Sequence, residues 1–70
     1  MLSMIVDNSS CIQRFDYDES TKILTITFGH GGKYDYPGIP KSLVERWMKS
    51  ESKGKFYNKE IRFKYGAAFR

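Results

Sequence analysis

Residues 52–62 hold the densest mixture of ligand-binding chemistry in the chain. They read Ser52-Lys53-Gly54-Lys55-Phe56-Tyr57-Asn58, then Lys59, Ile61 and Arg62, with the further cation Lys64 just beyond. Phosphates are commonly contacted by such cations and by backbone N–H groups, while interleaved rings pack or stack on bases. The same residues also read as a helix-breaking loop followed by an anchored turn, with Phe56 and Ile61 buried and Asn58 capping. Both readings can hold together, the apolar members serving the fold and the polar ones a ligand. Arg62 is the single residue best suited to contact, because Ile61 anchors the turn beside it and a guanidinium grips phosphate or carboxylate through two parallel hydrogen bonds. Its structural alternative is an internal salt bridge to Asp35, Glu51 or Glu60. Tyr34 and Tyr36 form a second constellation, able to stack bases on a sheet face or to serve as core residues with wet hydroxyls.

Catalytic and metal chemistry find little support. One histidine and one cysteine cannot build a Cys/His metal cluster, and His30 lies in a glycine turn far in sequence from Cys11. His30 reads as an exposed turn residue rather than a general base. Asp16, Asp18 and Glu19 resemble the start of a calcium loop but lack its later glycine and bidentate glutamate. Gly29, Gly31 and Gly32 are followed by a strand, whereas a phosphate cradle opens a helix, so they read as a hairpin turn. The expectation is a non-enzymatic binding module with no cofactor and no metal.

These side chains must be positioned by a small set of elements. Residues 11–17 alternate, with Cys11, Gln13, Phe15 and Tyr17 expected to face the core and Ile12, Arg14 and Asp16 on the other side. A turn at residues 18–21 leads to residues 22–28, where Leu24, Ile26 and Phe28 alternate with Thr25 and Thr27. After the glycine turn, residues 33–36 resume extended structure. Pro40 then starts a short amphipathic helix over residues 41–50, with Leu43, Val44, Trp47 and Met48 on one stripe. Residues 50–54 break that pattern, and a helical turn near residues 57–62 with an extended tail completes the chain. The fold class is α+β: a three-stranded antiparallel meander packed on one or two short helices in two layers.

Seventy residues with 40% hydrophobic and 16% aromatic content make one domain, too apolar for disorder and too short for two cores. Cys11 alone cannot staple the fold, which suits a reducing, cytoplasmic setting, and the N-terminal apolar run is too short for a signal core or membrane span. Charge is divided unevenly. Residues 1–40 carry three Lys or Arg against five acids, and residues 41–70 carry nine against three. The basic half points to a polyanionic or acidic partner.

Ser9-Ser10-Cys11-Ile12, Tyr17-Asp18, residues 24–28, residues 32–36, Ile39-Pro40 and residues 52–58 with Ile61-Arg62 resemble the KTSC domain, in order and at similar spacing. The resemblance covers roughly residues 9–65. The family takes its name from a module at the C-terminus of some lysyl-tRNA synthetases and also occurs as small stand-alone bacterial and phage proteins. Its hallmark Tyr-x-Tyr is matched by Tyr34 and Tyr36. Phe56-Tyr57 departs from the more usual Tyr-Phe order, and residues 66–70 lack an aromatic-rich ending. The resemblance implies RNA binding, with RNA favoured over DNA, and names no catalytic residue. Tyr34, Tyr36, Ser52, Lys53, Lys55, Tyr57, Asn58, Lys59, Arg62 and Lys64 are therefore the candidate contacts. A protein-interaction or inhibitor module docking on an acidic partner, or nucleotide capture by an oligomer, are the other readings. A sheet face left open by the helices, were it aromatic, would favour a homodimer.

Overall fold

The computed structural model describes residues 1–6, 11–65 and 68–69. Strands β1 (Leu2–Ile5), β2 (Ile12–Asp18), β3 (Ile23–Phe28) and β4 (Lys33–Tyr36) lead to helix α1 (Lys41–Lys49). Helix α2 (Lys53–Phe56) follows and runs directly into a widened π-helical turn, Tyr57–Ile61, and a two-residue strand β5 (Ala68–Phe69) ends the order. One antiparallel sheet takes the strands in sequence order, β1 to β5. The helices cover one face, so the α+β two-layer arrangement holds and the expected meander gains a strand at each edge. Neither edge carries a usable alternation: β1 has apolar Leu2, Met4 and Ile5 on both of its faces, and β5 is two residues long. The departing tail that the resemblance flagged, Gly66-Ala67 and Arg70, lies outside the described residues.

Strand β3 follows its alternation: Leu24 and Ile26 are fully buried and Phe28 half-buried at the sheet's end. Strand β2 departs from the expected phase. Its register slips between Ile12 and Arg14, so that Ile12 faces Phe28 while Arg14 faces Thr27. The bulge inserts Gln13 as an extra residue and reverses the alternation before it. Ile12 consequently enters the core with Phe15 and Tyr17, and Cys11 and Gln13 are exposed.

The β4–α1 connection is tied to the sheet by the buried Tyr17 hydroxyl, which donates to the Ile39 carbonyl at 2.6 Å, and by the Ile39 N–H bonding to Lys22 O at 3.0 Å. Pro40 stands at the N-cap of α1, which buries Leu43, Val44 and Trp47 against the sheet. Trp47 stacks on Phe15 with ring centroids 4.0 Å apart and planes at 11°. Its indole N–H donates to the Lys53 carbonyl at 3.0 Å. Residues 50–54 do not simply break the helix. Ser52 accepts from the Lys55 N–H and caps α2, which starts at Lys53 despite Gly54. Beyond Ile61 the chain first turns through Arg62–Tyr65, whose Lys64 and Tyr65 N–H groups bond back to Ile61 O, and the expected extended structure comes only at β5.

Trp47→Phe removes the buried bond to Lys53 and leaves a void beside Phe15. The expected loss of stability is about 2 kcal/mol. A urea midpoint equal to that of the parent protein would show that Trp47 does not hold the layers together.

Candidate functional site

Where the glycine hairpin after β3 meets the π-helical turn, a cleft of about 340 Å³ opens between the two layers. Cys11, Phe28, His30, Tyr34 and Tyr36 line it from the sheet, and Gly54, Tyr57, Asn58 and Arg62 from the helical side. The bulge in β2 and the pleat of β4 explain the sheet side: Tyr34 and Tyr36 share a face, while Asp35 points to the opposite one. Phe28 is the hub of the rings. It meets Tyr34 edge-on at 5.4 Å and Tyr57 at 5.6 Å, and lies parallel to His30 at 5.8 Å.

Tyr36 forms the floor. It is 3% exposed, and its hydroxyl lies 2.6 Å from that of Tyr57. Burial, and next the bond from Tyr57, push its phenol well above the ordinary tyrosine range. On the helical side, the Arg62 N–H bonds to Tyr57 O at 2.8 Å, closing the five-residue turn that sets these two residues one above the other. Ile61 anchors the turn in the core at 0% exposure, as its sequence position implied. The Arg62 head is exposed, 3.5 Å from Asn58 Oδ1 and 5.3 Å from the centre of the Phe63 ring. Glu60, one of the three acids considered as its partner, pairs instead with Arg46 at 3.7 Å and Lys64 at 3.6 Å.

Five of the candidate contacts thus converge on one cleft: Tyr34, Tyr36, Tyr57, Asn58 and Arg62. The other five stand elsewhere. Lys55, Lys59 and Lys64 are exposed on the helical side without lining the cleft. Ser52 is a helix cap. Lys53 is 6% exposed, and its ammonium donates to Ser50 O at 2.5 Å, at the C-terminal end of α1. A buried lysine needs such a partner, and a carbonyl at a helix end is a favourable one. Lys53 therefore serves the fold and is not an exposed cation. Sequence reasoning missed Cys11, Phe28, His30 and Gly54. Phe28 ends the β3 alternation, which was a signal for its facing the helices; Cys11 and His30 gave none, since they meet only through the bulge and the hairpin. His30 is exposed, as expected of a turn residue, and its Nδ1 accepts the Gly32 N–H at 3.2 Å. A Cβ at Gly32 would stand 2.5 Å from His30 Cε1, so only glycine lets the ring lie across the turn.

The sheet's other face is polar rather than aromatic. Ser3, Asp16, Thr25 and Asp35 form a row across four strands, with Ser3 and Arg14 donating to Asp16 at 2.7 and 2.8 Å and Thr25 to Asp35 at 2.7 Å. Partial burial works to raise the Asp16 carboxyl, but the bonds from Arg14 and Ser3 and the charges of Arg14 and Lys33 outweigh it and hold it low. Among the described residues of this row no side chain is aromatic. Among the described residues, no cluster of three or more His, Cys, Asp or Glu is placed to hold a metal, and no helix is long and apolar enough to cross a membrane.

Fold and cleft together define a class: a small α+β module with an open antiparallel sheet, one helical layer and an arginine-rimmed aromatic seam between them. The KTSC domain family model matches residues 8–65, and the chain belongs to that family. It superimposes on the crystal structure of a KTSC domain protein from Yersinia pestis with a TM-score of 0.90 and 30% identity, covering 99% of this chain and 96% of that one. It is 36% identical over 62 residues to a lysine–tRNA ligase of Nostoc punctiforme, a match that takes in 89% of this chain and 11% of the ligase. An uncharacterized protein of Stutzerimonas stutzeri is 30% identical over 50 residues, covering 71% of this chain and 70% of that protein.

The raised Tyr36 phenol has a pH signature. Folding favours its un-ionised form, so its contribution is complete below pH about 10, the ordinary tyrosine value, and is lost as pH rises through the higher folded value. Tyr36→Phe is expected to flatten the fall in stability between about pH 9.5 and 11, read as the slope of the urea-unfolding free energy against pH. An unchanged slope would mean that Tyr36 ionises as freely in the fold as outside it.

Proposed function

We propose that this KTSC domain is a non-catalytic, cytoplasmic RNA-binding module whose contact surface is the cleft between β4 and the π-helical turn. The observation that carries the reading is the lining itself. Arg62, Asn58 and the rings of Tyr34, Tyr57 and His30 converge from distant parts of the chain, and no carboxylate is among the described lining residues. Guanidinium and amide groups suit phosphate oxygens, and ring faces or edges suit unpaired bases, which is the usual division of labour in single-strand recognition. In this reading Arg62 grips phosphate, Tyr34 and Tyr57 pack against a base, and Tyr36 holds Tyr57 in place through the hydroxyl pair. Exposed Lys55, Lys59 and Lys64 add a positive field around the rim. The ligase relatives support it by their names, since a segment akin to this one occurs in proteins that act on tRNA.

The test is fluorescence anisotropy with labelled single-stranded RNA across a salt series. Engagement of Arg62 and the three lysines is expected to give a log–log slope of about −3, near −0.7 for each phosphate neutralised. Arg62→Ala should weaken binding about tenfold or more with an unchanged melting temperature, and Arg62→Lys should recover only part of the loss. No binding at low salt, or an Arg62→Ala protein that binds as well as the parent, refutes the reading. So does a partner captured from lysate that survives nuclease treatment, which would indicate an acidic protein surface instead.

A further inference from the structure

We infer that the cleft takes the phosphorylated end of an RNA strand, one terminal nucleotide with its phosphomonoester, rather than a run of internal nucleotides. The inference rests on the RNA-binding reading above and concerns which chemical group occupies the same site.

The cleft's size limits its occupant. At about 340 Å³ the cleft lies at the small end of ligand sites, which run from roughly 300 to 1,000 Å³, and it accommodates one nucleotide. Tyr36, buried to 3% exposure, closes its floor, so the cleft is a recess with room for one nucleotide and not a channel.

The hydrogen-bonding sense of the lining favours an anionic, acceptor-rich group. His30 Nδ1 accepts the Gly32 N–H, so the neutral ring carries its proton on Nε2 and offers a donor. The Oδ1 of Asn58 faces the Arg62 guanidinium, which leaves its amide NH₂ as the outward group. Tyr36 and Tyr57 share one hydroxyl bond, and whichever oxygen accepts in it keeps its own proton to donate elsewhere. Arg62 adds a guanidinium with five N–H bonds, one of them directed at Asn58. A cleft lined by four donor groups and, among its described residues, no carboxylate fits the ligand richest in acceptor oxygens and negative charge. A phosphomonoester carries three terminal oxygens and about −1.5 to −2 charges at pH 7, and so exceeds the internal diester on both counts.

The test compares one single-stranded RNA in three forms, with hydroxyls at both ends, a 5′-phosphate or a 3′-phosphate, by anisotropy at fixed salt. Adenosine monophosphate and adenosine serve as competitors. One phosphorylated end is expected to bind at least about tenfold more tightly than the hydroxyl form, and adenosine monophosphate but not adenosine to compete. Asn58→Asp, which puts a carboxylate on the exposed rim, is expected to erase that preference at an unchanged melting temperature. The three-form comparison uses the unaltered chain and stands whatever the variant does. Equal affinity for all three forms, with Arg62-dependent and salt-dependent binding retained, overturns the inference and leaves the RNA reading in place. Adenosine monophosphate binding without RNA binding overturns the RNA reading and keeps the phosphomonoester site. Binding of neither overturns both.

Discussion

Trp47 is the constraint on which the rest of the arrangement depends. Its indole is fully buried, so its N–H needs a partner inside the protein, and the Lys53 carbonyl supplies it. That bond fixes where the chain must be six residues beyond α1's last buried position, and hence where α2 starts. The Lys53 side chain reaches back to Ser50 O, while the Ser50 hydroxyl closes on Trp47 O at 2.7 Å. The short connection between the helices is thus tied at both ends. Tyr57, Asn58 and Arg62 inherit their positions from it, because α2 passes into the π-helical turn without a break. On its other side Trp47 stacks on Phe15, so the same ring that sets the helical half of the cleft is registered on the sheet that carries Tyr34 and Tyr36.

Legibility in the sequence followed how local each decision was. Strand β3 and helix α1 were readable because their periodicity is set by one face of one element. The phase of β2 was not, because a bulge at Gln13 is a property of the pairing with β3 and leaves no mark on a single strand. Lys53 and Gly54 read as breakers, yet Ser52 is a sound N-cap, and the helix after it is stabilised by tertiary bonds that outweigh glycine's poor propensity. A lysine is also an improbable core residue until a helix-end carbonyl is known to wait for its ammonium.

The cleft was legible as a set of residue types and not as a place. Tyr34, Tyr36, Tyr57, Asn58 and Arg62 announced themselves by chemistry, but Phe28 and His30 join them only because a glycine hairpin folds against a helical turn nearly thirty residues away. The lack of carboxylates in the lining was equally invisible. Helical spacing turns Glu60 away from Arg62, two residues on, and toward Lys64, four on, while its approach to Arg46 on the neighbouring helix appears only in the fold.

The uneven charge along the chain becomes, in three dimensions, a difference between faces. Asp16 and Asp35 stand in the open row of the sheet with Arg14 and Lys33 on the same face, while the exposed cations of the second half, Lys55, Lys59, Arg62 and Lys64, stand on the helical side. The pleat of β4 makes this division sharp, since Tyr34 and Tyr36 turn to the cleft and Asp35, between them, to the opposite face. The carboxylates of the open face are thus offset by neighbouring cations, whereas the exposed cations of the helical side stand around the rim of a cleft with no carboxylate among its described lining residues. A slip of β4 by one residue would undo this arrangement, exposing the tyrosines on the open face and carrying Asp35 into the cleft.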